Sequence, residues 1–296
     1  MKLLDRVLAL GDEDDRSEQD LKVRGLQLFL QFHIAVRLWF ICFPQSSVAS
    51  GEALTSAIAM ASAATAAFVL GLSPRFARAA LGLSMVTMLV KLWLTFPMSS
   101  NHFMIELLNL FLLLLLDPGK NEERGLLLSA SRWITVIVIF YTGLQKIFYG
   151  TYFGGEFLAY SIATKGHFGD LFRLALPVEE FSRLIHSHPE RLGAGPFRVQ
   201  SPFFLLISNG VYVFEMLAPV ILLTRRSRSL ATGMVILFMV MVQSGARELF
   251  FGALMVQLLL LFLPRAWNYR LLPGFVAFYV LLLGTRIWWF PEFLFY

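Results

Sequence analysis

The sequence predicts an all-α protein, a bundle of about nine transmembrane helices, for two reasons. Hydrophobic residues make up 57% of the 296 positions and charged residues only 15%, a balance that a fully water-exposed surface does not tolerate. Apolar runs of about 20 residues, the length needed to cross the hydrocarbon core, also follow one another along most of the chain. Membrane lipid is therefore the first partner that we expect.

Proline or glycine lies near the ends of most apolar runs and separates them into nine predicted spans. These are 26–43, 53–72, 79–96, 101–116, 130–149, 203–223, 229–247, 249–263 and 272–290. Residues 1–25 are predicted to form a cytoplasmic or interfacial arm, since leucine and valine recur there at roughly helical spacing among many charges. With no fixed-period repeat in the sequence, residues 26–296 are expected to form one bundle.

The distribution of lysine and arginine predicts the orientation, because cytoplasmic loops retain positive charge. Every second connection is basic, namely those with Lys22 and Arg24, Arg75 and Arg78, Lys120 and Arg124, Arg225, Arg226 and Arg228, and Arg265 and Arg270. The N-terminus is therefore expected in the cytoplasm and the C-terminus outside. Segment 150–202 also contains basic residues, but long segments are translocated largely regardless of charge, and its aromatic and glycine content predicts interfacial helices on the outer side.

Several classes of function are not supported by the sequence. The net charge of +5 comes from short basic clusters between apolar runs, so no nucleic-acid partner is predicted. Walker loops, dinucleotide fingerprints, zinc-protease motifs and serine-hydrolase elbows do not occur. No metal site is predicted, since His186 and His188 would need further ligands. The lack of an Asn-X-Ser/Thr sequon favours a bacterial inner membrane.

Ionisable side chains inside apolar runs are the candidate functional groups, because each is costly there unless it is paired. They include His33, Arg37, Lys91, His102, Glu106, Lys146 and Glu215. Lys91 and Glu106 fall at the same depth, roughly 8 Å below the outer boundary from the 1.5 Å rise per residue, which predicts an ion pair. Glu215 is a candidate partner for Arg37, although the depths match poorly.

The topology brings His102, Glu106 and Lys146 to one level of the bundle, and two interpretations stay open. His102 and Glu106 share a helix face at i, i+4 spacing and could belong to a chemical site with Lys146. Alternatively, Lys146 is a lysine that extends to the interface from a helix end, His102 is hydrated at the boundary, and a Lys91–Glu106 pair fixes helix register.

Three parts of the chain resemble the HTTM family of membrane proteins, which includes the vitamin K-dependent gamma-carboxylase. Asn101-His102-Phe103 is similar to the family's Asn-His motif, and the Tyr141–Lys146 segment, YTGLQK, is similar to its Tyr-x-x-Gly-x-x-Lys segment, continued by Gly154-Gly155-Glu156. The basic segment 224–228 and the apolar helix that runs to Phe250-Phe251-Gly252 resemble the later part of the family's bundle. The resemblance covers residues 26–264.

The resemblance implies a quinol-dependent enzyme of the carboxylase or epoxidase kind, a lyase. Lys146 would be the catalytic base that deprotonates reduced vitamin K or a related quinol, and His102 would hydrogen-bond a reacting group. In the family the deprotonated quinol reacts with oxygen to give a strong base, which removes a glutamyl proton before carbon dioxide adds. The residues expected to bind substrate are Glu106, Tyr141, Gln243 and Lys91.

Two departures from the family keep a second hypothesis open. Phe238-Met239 stands where the family has Phe-His, which removes an acid/base group and leaves Gln243, one turn later, as a polar substitute. The sequence also ends soon after the ninth predicted span, so a protein or peptide substrate is only one alternative. The other hypothesis is a noncatalytic membrane protein that binds a lipid, a quinone or a partner protein, with the polar groups fixing helix packing.

Overall fold

A computed structural model describes residues 14–42, 51–97, 101–164, 172–187, 197–246 and 248–288. In these residues the protein is all-helical, with eleven α-helices, one short 3-10 helix and no strand. The all-α prediction is confirmed. The 3-10 helix, Pro74–Phe76, joins the second and third α-helices.

The α-helices are numbered in chain order. They are α1 (Arg16–Cys42), α2 (Gly51–Gly71), α3 (Ala77–Thr95), α4 (Asn101–Leu115), α5 (Asn121–Tyr149), α6 (Glu156–Thr164), α7 (Val178–Ile185), α8 (Pro202–Leu223), α9 (Arg228–Ala246), α10 (Leu249–Leu260) and α11 (Trp267–Trp288).

In the part of the chain that the structure describes, five helices are long and apolar enough to cross a membrane, as expected of an integral membrane protein. They cover Arg16–Cys42, Ala53–Gly71, Pro74–Thr95, Asn121–Tyr149 and Pro202–Leu223. The shorter apolar helices His102–Leu115, Arg228–Gln243 and Leu249–Leu260 also coincide with predicted spans, and α11 overlaps the ninth. The count of nine crossings and the orientation of the termini stay predictions.

The chain divides into two compact units. Unit 1 comprises Met1–Ile134 and Arg247–Tyr296, and unit 2 comprises Thr135–Ala246, so the boundary falls inside α5. The single bundle predicted for 26–296 stays a prediction. Of the predicted N-terminal arm, residues 16–25 are continuous with the first span in α1, and residues 1–13 lie outside the described residues.

In unit 1, α1 is the central helix. It packs against α2, α4, α10 and α11, and 83% of its apolar window is buried. The corresponding fractions are 17% for α2 and 28% for α3, so most of their apolar side chains remain exposed on the surface of the protein. Water does not accommodate such a large apolar surface, whereas acyl chains do.

The basic connections of unit 1 gather at one end, as expected if consecutive helices alternate in direction. The contacts there are Arg24 to the carbonyl of Leu72, Arg78 to Asp117, Arg124 to Asp20, and Lys22 to the carbonyl of Leu263. The backbone N–H of Gly119 donates to Asp117 and is the main cause that holds the pKa of its carboxyl below the usual range. Asp117 therefore remains an ionised partner for Arg78 near neutral pH.

In unit 2, the short helices α6 and α7 pack on the start of α8. Ala159, Leu184 and Phe204 are fully buried in their shared apolar cluster. Gly155 precedes α6 with φ +71°, and a Cβ there would lie 2.9 Å from the ring of Phe204. Glycine is therefore needed both for the backbone conformation and for the close approach. Whether α6 and α7 lie at a membrane interface stays a prediction.

Helix α5 has clear signals at both ends. Glu122 and Glu123 in its first turn and Lys146 in its last turn complement the helix dipole. Gly150 adopts φ +67° directly after the helix, and its N–H donates to the carbonyl of Lys146 at 3.1 Å. This glycine cap ends the helix one turn after Lys146 and so fixes the position of that lysine.

We expect Gly25→Ala to lower the free energy of unfolding by about 1–3 kcal/mol, the usual cost of overpacking. A Cβ at Gly25 would lie 2.9 Å from the backbone nitrogen of Tyr269, which cannot move away as a flexible side chain can. The matched control is Gly82→Ala in α3, where a Cβ meets nothing within 4 Å. The single cysteine, Cys42, is buried, so its reaction with a thiol dye on heating reports unfolding. Equal melting temperatures for the two variants would contradict the packing of α1 on α11.

Candidate functional site

The buried carboxylate of Glu106 is the centre of the polar side chains in unit 1. It lies on α4, which places it beside α1, and it is fully inaccessible to solvent. His33 Nε2 is 2.8 Å from Glu106 Oε1, and Arg37 Nη2 is 2.8 Å from Glu106 Oε2. His33 and Arg37 are one turn apart on α1, so the same helix face supplies both groups.

The hydrogen-bonded chain continues from Glu106 to a tyrosine on α11. His33 Nδ1 is hydrogen-bonded to the hydroxyl of Tyr279, and both side chains are buried. With Glu106 ionised, a neutral imidazole donates from Nε2 to the carboxylate and accepts from the phenol at Nδ1. Glu106 therefore fixes the tautomer of His33. The hydrogen bond between Tyr279 and His33 allows a proton to move between the phenol and the imidazole.

The ion pair expected from depth, Lys91–Glu106, is wrong, and so is the candidate pair Arg37–Glu215, for which the depths matched poorly. Glu106 pairs with Arg37 rather than Lys91, whose ammonium lies 5.5 Å from the ring centroid of Phe103. Glu215, the expected partner of Arg37, pairs with Lys146. The rise per residue gives the depth of a side chain but not the direction in which it points, so depth alone could not distinguish these partners.

His102 lies one turn before Glu106 on α4. Its ring centroid is 5.0 Å from that of Phe251, and its Nε2 is buried without a hydrogen-bond partner among the described residues. This imidazole can therefore still bind a further group.

In unit 2, Lys146 and Glu215 form a bidentate ion pair between α5 and α8. The ammonium donates to the two carboxylate oxygens at 2.8 and 2.6 Å. The side chain of Lys146 is 18% exposed and that of Glu215 only 6%, so the pair is largely shielded. The ammonium also lies 5.3 Å from the ring centroid of Tyr152, a cation–π distance.

Gly143 makes the Lys146–Glu215 pair possible. A Cβ at this position would lie 3.0 Å from Glu215 Cβ and 3.2 Å from the backbone nitrogen of Met216. The glycine therefore lets α5 and α8 approach closely, one turn before Lys146. This gives a packing reason for the glycine in the YTGLQK segment.

The other predicted substrate-binding residues of unit 2 differ in exposure. Tyr141 is 55% exposed on α5, and Phe148 and Tyr149 near the same helix end are 78% and 75% exposed. Gln243 on α9 is buried, and its Oε1 has no hydrogen-bond partner among the described residues. Tyr141 thus belongs to an exposed aromatic surface, whereas Gln243 offers a free acceptor inside the protein.

The structure brings the predicted site residues together in two groups. Glu106 lies with His33 and Arg37 in unit 1, and Lys146 lies with Glu215 in unit 2. The catalytic roles of Lys146 and His102, and their meeting in one pocket, stay predictions. Sequence reasoning missed Tyr279, because a tyrosine in an apolar run costs little and does not stand out as a charged residue does.

Comparisons of the chain with protein families, with curated proteins and with solved structures found no match.

We expect Glu106→Gln to destabilise the protein by about 3–5 kcal/mol, because it leaves Arg37 buried without its counter-charge. The double variant Arg37→Met/Glu106→Gln should recover much of this loss, since the guanidinium that lost its counter-charge is removed as well. The melting temperatures of both variants are measured by the reaction of Cys42 with a thiol dye on heating. The control is Lys120→Gln, which removes the exposed pair with Glu123 and should barely change the melting temperature. A double variant no more stable than Glu106→Gln would show that the ion pair is not the cause.

Proposed function

We propose that the chain is an integral membrane enzyme of the HTTM type that takes a proton from a lipid-soluble quinol at Lys146. The observation that supports this most is the bidentate contact between Lys146 and Glu215 in two apolar helices. Either charge alone would cost several kcal/mol in hydrocarbon, so the pair calls for an explanation in folding or in chemistry.

Glu215 gives Lys146 a way to become a base. In a site of low dielectric constant, the ammonium can pass its proton to the carboxylate, which neutralises both groups. The neutral amine can then accept the proton of a quinol hydroxyl, and the resulting ammonium balances the charge of the quinolate. The ammonium proton thus goes to the carboxylate of Glu215, and the quinol proton goes to the amine of Lys146.

Other residues of unit 2 fit a quinol with an isoprenoid tail. Tyr141, Phe148 and Tyr149 expose aromatic surface on α5, which an apolar tail can cover. The unpaired Oε1 of Gln243 can accept a hydrogen bond from a hydroxyl. Reduced vitamin K or a related quinol is the proposed cofactor, and His102 the proposed hydrogen-bonding partner of a reacting group.

The rest of the proposal follows the sequence. The chain would cross a bacterial inner membrane nine times with its N-terminus in the cytoplasm, and quinol oxidation would drive carboxylation or another modification of a protein or peptide. A second candidate is a noncatalytic protein that binds a lipid, a quinone or a partner protein. It is favoured by the mutual pairing of Arg37 and His33 with Glu106, which needs no ligand.

We expect Lys146→Ala to lower quinol consumption by about 100-fold or more, the usual contribution of a general base. Consumption is measured on purified protein in nanodiscs, after mass spectrometry has identified any quinone that copurifies. Lys120→Ala, an exposed lysine outside both polar groups, is the control.

Two outcomes of this experiment oppose the proposal. Unchanged consumption in Lys146→Ala would end the assignment of the base. A copurifying quinone that the wild-type protein binds but never consumes would favour the noncatalytic candidate instead.

A further inference from the structure

Unit 1 contains an excess of positive charge at the end opposite its basic connections. Arg37 near the end of α1 and Lys91 near the end of α3 face a single carboxylate, Glu106, whose two oxygens contact His33 and Arg37. Lys91 forms no ion pair with any residue that the structure describes, and its ammonium lies over Phe103. A protonated Lys91 therefore has no counter-charge of its own among the described residues.

The two cations lie beside the same aromatic ring. The guanidinium carbon of Arg37 lies 5.3 Å from the ring centroid of Phe103, and the ammonium of Lys91 lies 5.5 Å from the same centroid. Two cations beside one ring repel each other in a medium of low dielectric constant. An anion bound beside them would remove this repulsion.

Unused hydrogen-bonding groups accompany the charge. Arg37 is only 7% exposed, yet its Nε has no hydrogen-bond partner among the described residues, and its Nη2 meets Glu106 without the alignment of a hydrogen bond. His102 Nε2 is also buried and unpaired. A guanidinium, an ammonium and an imidazole are the donors that bind tetrahedral oxyanions, whose several oxygens can accept from all three.

The surface next to Lys91 indicates where the anion comes from. Val90, Trp93 and Leu94 are 44%, 85% and 57% exposed on α3, and Lys91 itself is half-buried among them. Acyl chains can cover this apolar face, and tryptophan prefers the headgroup level of a bilayer. A free inorganic anion would leave the face uncovered.

We propose that Arg37, Lys91 and His102 bind the phosphate of an anionic phospholipid whose acyl chains lie on the exposed face of α3. Of these three residues, His102 also has a role in the proposed quinol chemistry. The test of the lipid site measures lipid binding without turnover, so its failure and the failure of the proposed function can be told apart.

The test is native mass spectrometry of delipidated protein titrated with phosphatidylglycerol or phosphatidylcholine. Both lipids carry a phosphate, but only phosphatidylglycerol has a net negative charge. We expect the wild type to prefer phosphatidylglycerol by about fivefold, as one basic residue contributes about 1 kcal/mol near an anionic lipid. Lys91→Met should lose the preference, whereas Lys91→Arg should keep it. Lys120→Met, which removes a lysine outside the site, should also keep it.

Three results would overturn the proposal. The first is equal binding of the two lipids by the wild-type protein, a result that does not depend on whether Lys91→Met folds. An unchanged preference in Lys91→Met would place the bound lipid elsewhere. Thermal stabilisation by inorganic phosphate equal to that by phosphatidylglycerol would show an anion site that takes no lipid.

Discussion

A charged side chain among apolar helices is stable only beside a partner, and this constraint organises both compact units. In unit 1, Glu106 on α4 is held by His33 and Arg37 on α1. In unit 2, Glu215 on α8 is held by Lys146 on α5. Each carboxylate joins helices that are far apart in the sequence. Apolar packing is tolerant of rotation and sliding, so these pairs give each unit a register that leucine-rich surfaces alone do not specify.

The two carboxylates differ in what they leave available for chemistry. Glu106 is fully buried, and aromatic rings such as Phe29 and Phe250 surround the His33–Tyr279 end of its hydrogen-bonded chain. Lys146 retains 18% exposure at the end of a helix whose last turns expose aromatic side chains. A substrate dissolved in the bilayer can approach the second group more easily than the first. We therefore assign the proposed proton transfer to Lys146 and a structural role to Glu106.

The sequence was sufficient for the class of fold and for most helices, because an apolar run long enough to cross a membrane has few alternatives to a helix. It also singled out Glu106, Lys146 and Glu215, since charges in such runs are rare. The sequence did not identify the ion-pair partners of these residues. Pairing depends on the direction in which each side chain points, and that direction is set by packing, for example by Gly143 allowing α8 to approach α5. Tyr279 was missed because its hydroxyl matters only beside His33.

The central claim is that the buried carboxylate of Glu106 is ionised and held by its partners. Infrared spectroscopy of the protein in lipid nanodiscs tests this most directly, by comparing wild type with Glu106→Gln. We expect no band of a protonated carboxylic acid that disappears on substitution, because Arg37 and His33 contact the two oxygens. A protonated-acid band present in wild type and absent from Glu106→Gln would contradict the claim, since a neutral acid would not need these partners.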